Sequence, residues 1–122
     1  MIDFQNGSVF KLKANNEYTS KAAEILISGE TILSAFKALR DGVVFTDKRV
    51  IAVNVQGITG KKKDFMSLPY SKITAFSVET AGSLDLDSEL EMYFSGLGRV
   101  KFEFIGQTNV VEIGRTIASY AL

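Results

Sequence analysis

The sequence predicts a mainly β domain, a small antiparallel barrel of seven strands in two near-orthogonal sheets, capped by an amphipathic C-terminal helix. Hydrophobicity alternates with period two over much of residues 30–104, turn residues interrupt it at short intervals, and residues 109–122 switch to helical period. A chain of 122 residues, 46% of them hydrophobic, is long enough to bury one core. We therefore expect one globular unit, in which an N-terminal arm and short helix (residues 1–29) precede the β domain (residues 30–122).

The first 15 residues contain apolar side chains without a regular period. We interpret this stretch as an extended arm whose Phe4, Val9 and Phe10 need another surface, such as a neighbouring subunit. An unstructured terminus is the alternative.

Two segments have helical period. Residues 17–28 predict a short helix with Asn16 as its N-cap and Gly29 at its C-terminal end. Residues 109–122 predict a second helix, in which Asn109 and a glutamate three residues later form a capping box. Its apolar stripe comprises Val110, Ile113, Ile117 and Tyr120.

Alternation places the strands between these helices. The seven predicted strands are 32–39, 43–46, 50–55, 64–68, 73–80, 89–94 and 100–104. Asp41-Gly42 is a strong hairpin signal, and Pro69, the single proline, ends a strand. The aromatic side chains expected to point inward are Phe36, Phe45, Phe76, Phe94, Phe102 and Phe104.

Composition excludes several classes of function. The 14 basic and 14 acidic residues cancel, so net charge does not suggest a nucleic-acid partner. Without Cys or His there are no thiolate or imidazole ligands, no thiol nucleophile and no imidazole base. Neither Ser67 nor Ser95 lies in a nucleophile motif. We expect no enzyme activity, cofactor or metal and, lacking a signal sequence or membrane span, a cytoplasmic location.

Several short motifs stand in a specific order along the chain. They are Ala35-Phe36-Lys37, Arg40-Asp41, Phe45-Thr46-Asp47-Lys48-Arg49, Gln56-Gly57-Ile58-Thr59-Gly60-Lys61-Lys62, Ser67-Leu68-Pro69-Tyr70, Phe76-Ser77-Val78-Glu79-Thr80-Ala81-Gly82, Asp85-Leu86-Asp87-Ser88-Glu89-Leu90 and Ser95-Gly96. Together they resemble the bacterial pleckstrin-homology (PH) domain family, formerly a domain of unknown function. The resemblance covers residues 25–122.

The resemblance implies a PH-like barrel capped by the C-terminal helix and a cyclic homo-oligomer, with a five-subunit ring expected for a chain of this one domain. It implies a polar surface where strands of neighbouring subunits meet, as the docking site for an unidentified protein partner. It implies no established activity, cofactor or ligand.

Polar residues at strand ends and turns are the candidates for partner binding. They are Arg40, Asp41, Gln56, Thr59, Lys61, Glu79, Thr80, Asp85 and Asp87. The simpler interpretation is that these residues satisfy turn backbone or form a solvated face. Residues 1–63 carry +4 and residues 64–122 carry −4, which favours head-to-tail pairing of copies unless the halves intermix in the folded domain.

The alternative function is a surface adaptor for anionic lipid or a phosphate ligand. Its candidate residues are Lys48, Arg49, Lys61, Lys62 and Lys63. A solvated lysine-rich turn is the simpler interpretation. The first hairpin loop is also shorter than in PH domains that bind phosphoinositides, so membrane binding is possible but not favoured.

Overall fold

The computed structural model describes Ile2, Phe4 and residues 9–122, except for the side chains of Val9 and Phe10. The strands are β1 (Val9–Ala14), β2 (Ile32–Lys37), β3 (Asp41–Thr46), β4 (Arg49–Gln56), β5 (Lys62–Pro69), β6 (Ile73–Glu79), β7 (Ser88–Phe94) and β8 (Gly98–Phe104). The helices are α1 (Glu17–Ala22) and α2 (Val110–Ala121), and single 3₁₀ turns occupy Ala23–Ile25 and Tyr70–Lys72. The described strands thus number eight, one more than predicted.

The strands form one curled sheet in the order β5-β4-β3-β2-β1-β8-β7-β6. Hairpins make β2 to β5 and β6 to β8 antiparallel. β1 joins the two groups, because it pairs antiparallel with β2 (Lys13 opposite Lys37) and parallel with β8 (Leu12 opposite Phe104). The mainly β class and the C-terminal helix are confirmed.

β1 lies inside the segment predicted to be an arm. Its register shifts between Val9 and Leu12, and Lys11 between them has a left-handed φ of 56°. A bulge of this kind breaks the two-residue alternation, so the strand has no period to recognise in the sequence.

The main core lies inside the curled sheet and beneath α2. Phe36 and Phe104 contact edge to face with ring centroids 4.9 Å apart. Phe76 is half-buried against this core, and the other five aromatics expected inside are buried. Phe4 was expected to reach a neighbouring subunit, but it is buried in its own core with its ring 5.8 Å from that of Phe102. Phe10 and Val9, the other predicted contacts, have side chains outside the described part.

A second, smaller core lies on the outer face of the sheet, beneath α1. Tyr18 and Ala22 of α1 are buried there against residues of β2, β3 and β4. The helix is shorter than predicted, and Gly29, with φ of 83°, lies in a later turn rather than at its end. The side chain of Asn16 makes no capping bond; Asn15 Oδ1 instead accepts from Glu17 N at 2.8 Å.

α2 begins as predicted. Asn109 Oδ1 accepts from Glu112 N at 3.1 Å, which confirms the N-cap half of the predicted capping box. Val110, Ile113 and Ile117 are buried against the main core. In the described chain, neither helix has the length and apolar content needed to cross a membrane.

Candidate functional site

Two neighbouring turns bring together five of the nine residues predicted to bind a partner. Arg40, between β2 and β3, reaches across to the turn between β4 and β5, where its Nη2 donates to Gly57 O at 2.6 Å. The backbone repeats this link, because Val55 N donates to Arg40 O at 3.0 Å. Thr59 and Lys61 lie in the same β4–β5 turn, where Lys61 N donates to Thr59 Oγ1 at 3.4 Å.

A row of amide and carboxylate side chains continues this polar surface along β3 and β4. Asn54 Nδ2 donates to Asp41 Oδ1 at 2.5 Å, and Gln56 Nε2 donates to Asn54 Oδ1 at 2.9 Å. Asp41 and Asn54 are opposite each other in the β3–β4 register. Sequence reasoning identified Asp41 and Gln56 but missed Asn54. Its polar side chain directly after the apolar run of residues 50–53 is the feature that could have indicated it. We call Arg40, Asp41, Asn54, Gln56 and Thr59 the polar turn cluster.

A cleft of about 300 Å³ opens beside the polar turn cluster, between α1 and the two turns. It is lined by Glu17, Tyr18, Lys21, Lys37, Leu39, Arg40, Val55 and Gly60. We call it the α1 cleft. The sequence did not indicate its lysines, because they meet only when α1 packs on the outer face of the sheet.

Charge in the α1 cleft is positive. Glu17 pairs with Lys37 at 2.8 Å and with Lys21 at 3.3 Å, and Arg40 adds a third cation. Hydrogen bonds from Lys37 and then Lys21 hold the pKa of Glu17 below its usual value. Lys21 also lies 4.7 Å from the centre of the Tyr18 ring. Three cations around one carboxylate are suited to binding an anionic group.

The basic residues of the alternative function fall into two separate places. Lys48 and Arg49 lie at the start of β4 and the three consecutive lysines at the start of β5, so the eight-residue β4 separates them. The structure therefore does not bring these five side chains together as one patch. Lys63 in addition forms an ion pair with Glu24.

Arg49 is committed to a structural network. It donates to both carboxylate oxygens of Glu30 at 2.9 Å, to Ser67 Oγ at 2.7 Å and to Ile25 O at 2.6 Å. The Arg49 bonds lower the pKa of the buried Glu30 to about 2, against the opposing effect of burial. Arg49 thus fixes the connection between α1 and β2, and its donors are used inside the chain.

The remaining four predicted residues form a second, acidic group. Glu79 ends β6, and Thr80, Asp85 and Asp87 lie in the loop to β7. Asp87 N donates to Asp85 Oδ1 at 3.0 Å. Among the described residues, no hydrogen bond or ion pair given by the structure joins this group to the polar turn cluster.

Glu79 is in a row of like charges across the sheet. It lies opposite Glu89 of β7, which in turn lies opposite Glu103 of β8. The neighbouring Glu89 raises the pKa of Glu79, and Lys101 forms its ion pair with Glu89 at 3.1 Å. Within the described residues, no group of three or more acidic side chains could hold a metal ion.

The fold that carries these sites is that of PH domains. A pleckstrin-homology protein of the DUF1696 family from Shewanella loihica PV-4 is 38% identical, with a TM-score of 0.76 over 92% of this chain and 98% of that one. A PH domain from Shewanella amazonensis SB2B is 42% identical, with a TM-score of 0.63 over 88% and 87%. A PH-domain protein from Exiguobacterium sibiricum 255-15 shares the fold, with a TM-score of 0.69 at 20% identity over 91% of this chain and 62% of that one.

The chain belongs to the bacterial PH domain family, whose family model matches residues 3–121. The resemblance seen in the sequence is thereby confirmed, and the match also includes most of the first 25 residues. The uncharacterized Bacillus subtilis (strain 168) protein YjqA is 49% identical over 102 residues, which are 82% of each chain. YozO, an uncharacterized protein of the same organism, is 30% identical over 100 residues, 82% of this chain and 86% of its own length.

Proposed function

We propose that this PH-like domain is a non-enzymatic scaffold that assembles into a cyclic homo-oligomer, with a five-subunit ring as the expected form. Each subunit presents the polar turn cluster to a protein partner. The observation that carries the proposal is the separation of charge across the sheet. Residues 32–69, which contain β2 to β5, carry a net charge of +4, and residues 73–104, which contain β6 to β8, carry −4, so opposite charges lie in different parts of the sheet.

The net charge of the acidic side follows from its residues. Residues 73–104 contain six carboxylates and two cations, which gives −4. A molecule with oppositely charged sides can bind copies of itself head to tail, and such contacts close into rings when the rotation permits. Charge then guides orientation more than it supplies affinity.

The polar turn cluster suits recognition better than catalysis. Asp41, Asn54 and Gln56 bond to one another, and Arg40 bonds to backbone, so their geometry is fixed before a partner arrives. Repeating a weak, preorganised surface around a ring increases avidity without any new contact.

The first test is the mass in solution, by native mass spectrometry and by light scattering on a size-exclusion peak. A five-subunit ring has a mass of about 67 kDa, five times the 13.4 kDa chain. Another closed oligomer would support the scaffold with a different subunit number. A 13.4 kDa species at every concentration would overturn the ring.

The second test addresses the partner surface. The intact oligomer and a variant carrying Gln56→Ala and Thr59→Ala are compared as bait for proteins of the source cell. A partner retained by the first and lost by the second, with the oligomer mass unchanged, supports docking at this cluster. Equal retention by both baits places docking elsewhere.

A second candidate function is favoured by the α1 cleft, whose lining contains three cations and a single carboxylate. We propose binding of an anionic headgroup or phosphate there as the alternative. Co-sedimentation with phosphatidylglycerol vesicles at low salt tests a membrane source, and calorimetry with inorganic phosphate tests a free one. Lys37→Ala should abolish binding, whereas Lys72→Ala, an exposed lysine outside the cleft, should leave it intact.

The same binding assays distinguish the α1 cleft from the consecutive lysines at the β4–β5 turn. Replacing Lys61, Lys62 and Lys63 with glutamine removes their charge without placing negative charge beside the cleft, and it should weaken cleft binding less than Lys37→Ala does. If that triple variant alone loses binding, the turn and not the cleft carries the ligand. Absence of binding to vesicles and phosphate by the unmodified chain would remove both forms of this second candidate.

A further inference from the structure

The central strand β1 is too short to cover its neighbour β2. It pairs with β2 through Lys13 and Ala14, and the last backbone bond along this line runs from Asn15 N to Ala35 O at 3.1 Å. The chain then turns away into α1. Within the described strands, residues 32–34 of β2 lie beside β3 but have no partner in β1. We call this open stretch of residues 32–34 the β2 gap.

Leu33 lies in the middle of the β2 gap. The register of β2 with β3 shifts between Ile32 and Ser34, which leaves Leu33 without an opposite residue in β3. Its side chain is 47% exposed. Irregularities of this kind re-aim side chains and are frequent beside binding sites. Because strand backbone that is open on one side is a template for another extended chain, the gap is suited to pairing.

Clefts lie on both faces of the β2 gap. On the inner face, a cleft of about 430 Å³ separates β2 from the start of α2, and the buried side chains of Phe36 and Ile113 form its apolar part. On the outer face, a groove of about 850 Å³ runs between β2 and α1, with Thr19 and Thr31 in its lining. We call them the β2–α2 cleft and the β2–α1 groove. Since successive side chains of a strand point to opposite faces, a strand in the gap would place alternate side chains in the two.

The charge of these two clefts disfavours an acidic partner. Among the described residues, their lining contains Glu30 and Glu112 but neither lysine nor arginine. Glu30 is bound by Arg49. Glu112 is 64% exposed, and its ion pair with Arg115 is long, at 3.7 Å. The carboxylate of Glu112 can therefore accept a second cation in the β2–α2 cleft.

We propose that the β2 gap binds an extended segment of a partner protein as an added strand, antiparallel to β2 and in line with β1. An apolar side chain of the segment enters the β2–α2 cleft, and a basic side chain two residues away lies beside Glu112. The residues between them face the β2–α1 groove. In this mode of binding, backbone bonds supply affinity and the clefts supply specificity. The gap lies at the opposite end of β2 from the polar turn cluster, so the inference goes beyond the proposed function and does not depend on the ring.

A panel of labelled pentapeptides with blocked ends serves as the probe. Each has threonine at positions one, three and five, lysine at four, and valine, leucine, methionine, phenylalanine or tyrosine at two. Fluorescence anisotropy should detect binding of at least one member at concentrations of the intact protein up to about 1 mM. Exchanging the lysine for glutamate should weaken binding about tenfold, and serine at position two should abolish it. If no member of the panel binds, the proposal is overturned.

Variants of α2 locate the binding site. Thr116→Trp places a large ring in the β2–α2 cleft and should abolish binding. Ser119→Trp is the matched control, because it adds the same ring to the same helix outside the lining of the cleft, and it should leave binding intact. Glu112→Gln should remove the difference in affinity between the lysine and glutamate peptides. Equal loss in both tryptophan variants, or an unchanged preference for lysine in Glu112→Gln, would contradict the assigned site.

Hydrogen exchange of backbone amides distinguishes an added strand from other occupants. Peptide binding should slow the exchange of residues 32–34 about tenfold or more, because an added strand bonds to their backbone. Binding without slower exchange would mean that the clefts hold a side chain or a small apolar molecule, and strand addition would be wrong. Amides of the gap that are protected in the free protein and become unprotected on dilution would show that a second copy fills the gap, which would also overturn the proposal.

Discussion

At the scale of single residues, two buried hydroxyl groups have opposite surroundings. The Thr46 hydroxyl lies 2.7 Å from Glu30 Oε2 and accepts from Lys48 N and Arg49 N, both at 3.0 Å. The Ser88 hydroxyl is equally buried, but it has no hydrogen-bond partner among the residues that the structure describes. Burying a polar group without a partner costs free energy, whereas a bonded one organises its neighbours.

Removing these hydroxyls should therefore change stability in opposite directions. Thr46→Val should lower the free energy of unfolding by about 2 kcal/mol, because buried donors and the Glu30 carboxylate lose their partner. Ser88→Ala should be neutral or raise it by up to about 1 kcal/mol. Urea denaturation at one protein concentration measures both. A large loss for Ser88→Ala would mean that this hydroxyl has a partner.

The Glu30–Arg49 pair predicts how stability depends on pH. Arg49 lowers the pKa of Glu30 to about 2 from an ordinary value of 4.5. A lowered pKa in the folded state means that the ionised carboxylate stabilises the fold above pH 4.5. This contribution is lost as the pH falls from about 4.5 to about 2.

Glu30→Gln should flatten this part of the pH profile and cost roughly 3 kcal/mol at pH 7, since it leaves Arg49 without its counter-charge. Melting temperatures measured between pH 7 and 3 test the expectation. Glu17→Gln is the comparison, because Glu17 also has a lowered pKa but is exposed, so its removal should flatten the profile much less. An unchanged slope in Glu30→Gln would contradict the assigned role.

At the scale of elements, α1 is held by a close approach to β3. The ring of Tyr18 lies over Gly42, and a Cβ atom built at Gly42 would lie 2.1 Å from Tyr18 Cγ. The helix has six residues, too few to persist without such packing.

Gly42→Ala should therefore displace Tyr18 and destabilise the domain by about 2 kcal/mol, within the usual range for overpacking. Near-ultraviolet circular dichroism reports the tyrosine, and urea denaturation gives the free energy. In a double-mutant cycle, Tyr18→Ala should remove most of the cost of Gly42→Ala. Additive effects would show that the two residues do not interact.

Elements with an uninterrupted period could be predicted from the sequence, and interrupted ones could not. α2 was predicted through its stripe and the cap at Asn109, β6 to β8 through their alternation, and β3 and β4 through apolar runs bounded by turn residues. β1 was missed because its bulge at Lys11 disrupts the alternation. Gly29 was misassigned because helix α1 stops at Ala22 and continues as a 3₁₀ turn (Ala23–Ile25) followed by extended chain.

The candidate site likewise contains residues that could be predicted from the sequence and residues that could not. Arg40, Asp41 and Gln56 could be predicted because hairpin turns bring them together locally. The lysines of the α1 cleft come from different elements, and their meeting depends on tertiary packing. Arg49 was grouped with surface cations because a sequence gives its charge but not its partner Glu30.

At the scale of the whole molecule, assembly should be visible in thermal stability. A ring that forms from folded subunits binds the native state and not the unfolded chain, so its melting temperature rises with protein concentration. We expect this rise for the unmodified chain, measured by calorimetry over a hundredfold range of concentration. A melting temperature that does not depend on concentration would argue against assembly.

The position of β1 in the sheet has a consequence for synthesis of the protein. The strand is synthesised about 90 residues before its parallel partner β8. At the usual elongation rate this delay is roughly 5–20 s, during which the sheet remains divided. Contacts so distant in sequence slow folding. The nascent β2 to β5 hairpins therefore precede the last strand, and the sheet closes only once β8 has left the ribosome.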